Sequence, residues 1–271
     1  MKEKKLKYIV LQGLVYCSAL LTVAALVWIL YYVIEKGIGR IDFQFIFGDA
    51  KEGGIWPMIV TTFWSIFASL SLATPIGIMA AIYMVEYAKP GRVVKLIRFA
   101  TESLAGIPSI IYGLFGMIFF VTKLGLKFSI LSGALTLTIM VLPTVIRTTE
   151  EALKAVPRSF REASLGLGAT KIRTIVRIVL PSAIPGILTA VILGMGRIVG
   201  ETAAVYLTAG TVPKAPESIM DSGRTLSVHL YMLAKEGLSF EDAYATATIL
   251  ILLVACMNLL AKMGVQRLKK G

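Results

Sequence analysis

Six stretches of the chain run for 19 residues or more without Asp, Glu, Lys or Arg. They are Tyr8 to Ile34, Gly53 to Val85, Ser103 to Thr122, Phe128 to Ile146, Ile178 to Gly196 and Ala243 to Ala261. A helix rises about 1.5 Å per residue, so ~20 residues cross a hydrocarbon core of ~30 Å. Inside hydrocarbon every backbone N–H and C=O must be paired within its own element, so apolar runs of this length predict helices. Barrel strands would be about half as long and would alternate apolar and polar positions. The pattern predicts an all-α integral membrane protein with six transmembrane helices. The fifth run resumes after Arg197 and Glu201 and continues to about Ala209, which predicts one helix from Ile178 to Ala209.

The first run follows Lys2, Lys4, Lys5 and Lys7, as a secretory signal would. A signal's apolar region is only about 7–15 residues long. Here it has 27 residues and no small-residue cleavage pattern, so it is expected to stay as the first helix.

Composition agrees with the pattern. Of 271 residues, 56% are hydrophobic and 16% charged. Soluble domains carry about 25% charge. A disordered chain, a collagen and an ordinary soluble domain are excluded. The net charge of +12 could point to nucleic acid, but its distribution does not. Alternate inter-helix segments hold 19 Lys and Arg on one side and 8 on the other, with Arg197 left over. Cytoplasmic loops carry that excess. Both termini are therefore expected in the cytoplasm, in a multi-pass protein of the cytoplasmic membrane contacting lipid. No basic face with interleaved aromatics suggests a nucleic-acid partner.

Cys17 and Cys256 lie in apolar runs and read as small hydrophobes. His229 has no second ligand at metal spacing and reads as a surface or interface residue. Residues 35–55 read as a short lid or ordered loop. Residues Ser218 to Glu236 carry enough apolar positions for one or two short surface helices.

There is no GxxxxGK[ST] motif, and no HExxH, GxSxG or Cys/His cluster. The chain is not expected to hydrolyse ATP by itself or to hold a metal. The fifth apolar run holds the informative charges. A charge at mid-membrane costs roughly 2.5–3.5 kcal/mol on insertion scales. On a continuous helix, Arg197 and Glu201 would share a face and lie near enough to pair. Gly194, Gly196 and Gly200 flank them, and Gly196 and Gly200 would let another helix approach closely. The pair either locks helix packing or marks a polar point on a substrate path. An arginine on a watered path offers planar donors suited to an oxyanion. Pro75, Pro108, Pro143, Pro181 and Pro185 predict helix breaks or kinks around it.

The polar segment 147–177 turns at Pro157 and continues as a short helix. Phe160, Ala163 and Leu167 would share one face of that helix, and Arg158, Arg161 and Glu162 another. A small apolar face suits a partner's groove.

Residues 161–181, REASLGLGATKIRTIVRIVLP, resemble the cytoplasmic motif of ABC-importer membrane subunits. That motif is EAA, three residues, Gly, nine residues, then Ile-x-Leu-Pro. Glu162 and Ala163 match, Ser164 stands in for the second Ala, Gly168 takes the Gly position, and Ile178, Leu180 and Pro181 close the pattern. The resemblance implies a type I ABC importer permease fold. It also implies a coupling helix near 158–169 that docks into a cytoplasmic ATPase through Phe160, Arg161, Glu162, Ala163, Ser164 and Gly168.

Three further stretches resemble the membrane subunits of the bacterial phosphate-specific ABC transporter, its A-type permease more than its C-type. They are ESLAGIPSIIYGLFG at 102–116, MVLPTVIRTTEEALKAVP at 140–157 and GRIVGETAAVYLTAG at 196–210. This implies a permease subunit of an ATP-driven phosphate importer, paired with a C-type permease as a heterodimer. Cytoplasmic ATPase subunits using ATP and Mg would complete it, with an extracytoplasmic phosphate-binding protein. No cofactor is expected on this chain. The resemblance places Arg197, Glu201 and Thr202 on the phosphate path. Another oxyanion, such as sulfate or molybdate, is the alternative cargo. A membrane enzyme or assembly factor is the reading from another class. The expected organisation is a first helix and outer loop at 1–55, a transmembrane core at 56–264 and a cytoplasmic tail at 265–271.

Overall fold

The computed structural model describes residues 2–89 and 91–270, with side chains except at 2–7, 9, 10 and 265–270. Gly271, the end of the expected tail, lies outside the described residues. Among the described residues the chain is helical, with twelve α-helices and no strand. In order they are α1 (Lys2–Ile38), α2 (Phe43–Phe47), α3 (Trp56–Ile82), α4 (Arg92–Ala105), α5 (Ser109–Gly116) and α6 (Ile130–Ala155). Then come α7 (Arg158–Gly166), α8 (Lys171–Thr174), α9 (Leu180–Val199), α10 (Ala203–Thr208), α11 (Leu226–Glu236) and α12 (Phe240–Lys270). A π-helical turn at Tyr83–Tyr87 extends α3, one at Met117–Lys123 extends α5, and one at Ile175–Val179 joins α8 to α9.

Five helical stretches are long and apolar enough to cross a membrane, and a bent pair supplies the sixth span. That pair corrects the expectation of one helix over Ser103–Thr122. The chain turns by 100° between α4 and the Ser109–Lys123 stretch. Pro108 has no N–H and drives Ile107 out of the helical region, so α4 stops at Ala105. The Tyr112 hydroxyl donates to the Leu104 carbonyl at 2.7 Å and bridges the bend. The other expected breaks do not occur. Pro75, Pro143 and Pro185 sit inside continuous helices, and Pro181 lies at the start of α9. Each removes one backbone bond, which neighbouring helices tolerate without ending the element.

The centre of the bundle is α3, α6 and α9. Small residues let them approach. A Cβ on Gly77 would lie 2.6 Å from Val145 Cγ1, one on Gly186 would collide with Ala152 Cβ, and one on Gly194 would lie 3.2 Å from Leu70 Cδ2. Hydroxyls inside the bundle are satisfied by their own helices: Thr61, Thr62, Ser65 and Ser69 each donate to the carbonyl four residues back. Thr138 also reaches across from α6 to the Ser69 carbonyl of α3 at 3.2 Å. Ile66, Leu70, Val141, Ile198 and Val228 belong to the apolar core. By contrast, none of the apolar stretch of α1 is buried, and α1 packs chiefly on α12. In a membrane such a surface faces lipid or a neighbouring subunit.

The bundle has two ends. The basic end carries the end of α3, α4, α7 and α8. There Glu150 of α6 pairs with Arg98 of α4 and with Lys154, both at 2.6 Å. The opposite end carries α2, the 124–129 turn, the 209–225 segment and α11. The 39–55 loop is ordered, because Phe45 and Ile55 are buried against Met58, Leu226 and Ala245. Residues 218–236 form a turn at 218–221, a short irregular stretch and the single helix α11. His229 is partly buried there, with Nδ1 3.2 Å from Arg224 Nη1.

Candidate functional site

Arg197 lies in the last turn of α9. Gly186 packs at Ala152 and Gly194 near Val145, so α9 and α6 run antiparallel. That register puts Arg197 level with residue 142, about half-way along α6. At 1.5 Å per residue it is roughly 18 Å from either end.

The helix expected to continue to Ala209 stops at Val199. Gly200 ends it, residues 200–202 are not helical, and α10 starts at Ala203. This overturns the expected geometry of Arg197 and Glu201, since i and i+4 share a face only on an unbroken helix. Among the described residues no carboxylate forms an ion pair with Arg197. Glu201 is 8% exposed, and its Oε1 accepts from the Ala204 amide at 3.2 Å. It caps α10, where a carboxylate meets otherwise unpaired amides and the positive end of the helix. Thr202 is partly buried, and its carbonyl accepts from the Tyr206 amide at 2.8 Å. The other side of the break is satisfied by Ser227 of α11, whose Oγ donates to the Val199 carbonyl. Non-helical backbone survives at membrane depth only beside protein or water.

No other atom of the described chain would come within 4 Å of a Cβ on Gly196, and only the Gly196 carbonyl would for Gly200. The expected close helix neighbour on that face is therefore not one of this chain's own helices. On the far side α10 packs tightly on α5. A Cβ on Gly113 would lie 2.9 Å from Ala204 Cα, and one on Gly116 would collide with Thr136 Oγ1. Tyr112 shares the core with Ile198 and lies within electrostatic reach of Arg197. The result is a partly buried guanidinium beside a helix break and an open glycine face. Such a place can hold an anion weakly with planar donors.

A second constellation sits at the basic end. Pro157 starts α7, and Gly168 takes a φ of +81°, which favours a residue without Cβ. Phe160 is 49% and Leu167 89% exposed, with Ala163 exposed beside them. Leu165, also apolar, is exposed as well. Among the described residues, no element covers this apolar face. Glu162 is exposed. The expected polar face is not preserved, because Arg161 turns inward. Its Nε and Nη2 reach Glu86 Oε1 at 2.9 and 2.8 Å, and it donates to the Leu153 and Val156 carbonyls at 2.8 and 2.7 Å. Arg161 thus joins α7 to the ends of α3 and α6. Ser164 is buried and shares a 2.9 Å hydrogen bond with Thr174 of α8, which leads into α9. Ile178 and Leu180 are partly buried in that lead-in and Pro181 is exposed.

Residues 73–270 match the model of the family described as binding-protein-dependent transport system inner membrane component. The chain belongs to this family. It is therefore a multi-span inner-membrane permease component, and its fold is that of type I ABC importer permeases. Among its relatives is the probable ABC transporter permease protein YqgI of Bacillus subtilis, 36% identical over 91% of this chain and 90% of that protein. Another is the phosphate transport system permease protein PstA of Haemophilus influenzae, 33% identical over 95% of this chain and 93% of that protein. Among solved structures, a bacterial alginate ABC transporter in complex with an alginate-pentasaccharide-bound periplasmic protein aligns with a TM-score of 0.71. That alignment covers 95% of each chain at 16% identity. An inward-facing MetNI methionine ABC transporter aligns at 0.61 and 21% identity, covering 79% of this chain and 94% of that one.

Sequence reasoning missed Glu86, Thr174, Tyr112 and Ser227. Each acts on a partner far along the chain, or across a bend that periodicity does not predict. Only Gly200, between Arg197 and Glu201, signalled the break.

Proposed function

We propose that the chain is the membrane-spanning permease subunit of an ATP-driven inorganic phosphate importer. It provides half of the translocation path and docks a cytoplasmic ATPase. The observation that carries this reading is Arg197: a guanidinium level with the middle of α6, without an ion-pair partner among the described residues, beside a broken helix. Relatives named for phosphate transport support phosphate over sulfate or molybdate as the cargo. Arg197 meets the oxyanion, Thr202 and the open backbone of the break line its way, and Glu201 offsets the positive potential. Contact there must be weak, since a tightly held dianion could not leave.

Phe160, Ala163 and Leu167 dock the ATPase, and Glu162 meets it from the same helix. The ATPase hydrolyses ATP with Mg, because this chain carries no phosphate-cradling loop. Closure of the ATPases moves α7. Arg161 and Ser164 then pass that movement to α3, α6 and α9, and Gly168, Ile178, Leu180 and Pro181 shape the lead into α9. A C-type permease supplies the other half of the path, and an extracytoplasmic binding protein delivers phosphate. The basic end faces the cytoplasm, with both termini, which follows from the 19 to 8 division of Lys and Arg. Residues 56–264 form the transmembrane core, 1–55 the first helix and outer loop, and 265–271 the tail.

The test is uptake of labelled phosphate by cells lacking their own importer, supplied with the partner subunits and this chain, intact or as Arg197→Gln. Uptake by the intact chain, lost in an assembled mutant complex, supports the reading. Loss of uptake together with assembly would assign Arg197 a packing role. An assembled intact complex that moves another oxyanion but not phosphate would change the cargo.

A further inference from the structure

The segment between α10 and α11, with the first turn of α11, bonds to the C-terminal end of α10 and, across the break, to the last residue of α9. At the far end, the Ser222 hydroxyl donates to the Ala209 carbonyl at 2.8 Å, and the Gly223 amide donates to the same carbonyl at 3.1 Å. Across the break, Ser227 in the first turn of α11, buried at 4% exposure, donates to the Val199 carbonyl at the end of α9. Between these points the Leu226 amide donates to Thr62 Oγ1 of α3 at 3.0 Å, and Arg224 Nε to the Thr211 carbonyl at 2.9 Å. The Ile130 amide at the start of α6 donates to the Asp221 carbonyl at 2.9 Å. Residues 212–214, 217, 218 and 220, just before this stretch, are exposed.

We propose that Ser222–Ser227 is a positioning strap that holds the break beside Arg197 from the outer surface. Ser227 is its decisive residue. The inference rests on the proposed path through Arg197. Val199 is the last residue of α9, so its carbonyl has no partner within its own helix. A conventional helix end at this depth would lose that bond to water. Here the partner is a side chain from the segment that faces the outside. Movement of the exposed stretch therefore reaches the C-terminal end of α10 at Ala209 and, through Ser227 of α11, the last carbonyl of α9 beside Arg197. Neither Ser222 nor Ser227 touches cargo in this scheme; both act through the backbone they hold.

The test uses the complete complex in proteoliposomes, with labelled inorganic phosphate and ATP hydrolysis measured together. Ser227→Ala is expected to assemble and to hydrolyse ATP normally, yet to move ~3–10-fold fewer phosphates per ATP, the effect of one lost buried hydrogen bond. Ser227→Thr keeps the hydroxyl and is expected to recover the ratio. Amide exchange of residues 203–208 is expected to quicken ~5-fold in Ser227→Ala, whatever the cargo. Unchanged exchange overturns the strap. Uptake, hydrolysis and yield falling in parallel, with the ratio preserved, also overturn it, because a merely structural serine would act that way. Arg197→Gln runs alongside. If it transports normally, the path reading fails. If it is impaired while Ser227→Ala keeps its ratio and exchange, only the strap fails.

Discussion

Arg161 and Glu86, 75 residues apart, form a forked ion pair at the root of the exposed helix α7. Their side chains are 18% and 9% exposed, and the arginine also satisfies two terminal carbonyls of α6. A helix that merely rested on the surface would not need this. The pair ties α7 to the ends of α3 and α6, as the proposed coupling role requires.

Removing one member leaves a buried partner unpaired, which costs about 3–5 kcal/mol where burial is complete and less here. Arg161→Ala is therefore expected to lower the melting temperature of the purified complex. It should also cut phosphate uptake more than tenfold, allowing for the loss of about 1.4 kcal/mol per decade. Arg161→Lys keeps the charge but loses the fork, and should recover only part of both. Full activity in Arg161→Ala would remove the coupling role.

Phe160 presents half of its surface to the outside on the face with Ala163 and Leu167. Phe160→Ala should leave the level of this chain in the membrane unchanged, since half of the ring is exposed among the described residues. ATPase subunits should co-purify with it ~10-fold less well, the loss of an aromatic anchor worth about 1–2 kcal/mol. Equal co-purification would mean that another face docks the ATPase.

Glu201 accepts from Ala204 and is almost fully buried. A glutamine can still accept that bond, whereas an alanine cannot. Glu201→Gln should assemble normally and lose uptake several-fold through its missing charge. Glu201→Ala should additionally lose about 1 kcal/mol of stability with the cap. Wild-type uptake by Glu201→Gln would reduce the residue to a cap.

Gly116 gives α5 its close approach to α6 and α10, where a Cβ would collide with Thr136 Oγ1 and lie 2.7 Å from Thr208 Cγ2. Gly116→Ala should destabilise the chain by about 1–3 kcal/mol, as overpacking does. Thermal unfolding in detergent reads this directly, and an unchanged midpoint would show that the helices separate freely.

Burial and the neighbouring Arg224 guanidinium hold His229 at about 4, below its ordinary 6.5, while Asp242 opposes them. The unfolded chain therefore binds the extra proton between those two values. The stability contributed by the neutral ring is fully present above 6.5 and is lost as the pH falls toward 4. A shift of that size is worth at most about 3 kcal/mol. Unfolding midpoints should fall over this range in the native chain and fall less in His229→Gln; parallel curves would show that the ring carries none of the dependence.

Long uncharged runs determined most of the architecture from sequence alone. Hydrocarbon leaves a backbone of that length no alternative to helix, so the all-helical architecture and the short helix α7 after Pro157 followed from the pattern along the chain. The spacing of Glu162, Ala163 and Gly168 likewise placed α7 next to its family. What escaped were the places where a helix stops for tertiary reasons. Pro75 and Pro143 carry the sequence mark of a break and have none, because packed neighbours tolerate one missing bond. Gly200 carries a weak mark and ends α9, because the freed groups find partners there: Ser227 of α11 donates to the Val199 carbonyl, and Glu201 accepts from the Ala204 amide. Arg161 reads from the sequence as part of a polar face and, by the resemblance, of the ATPase-docking set; it turns inward instead, because Glu86 arrives beside it only when α3 and α6 pack together.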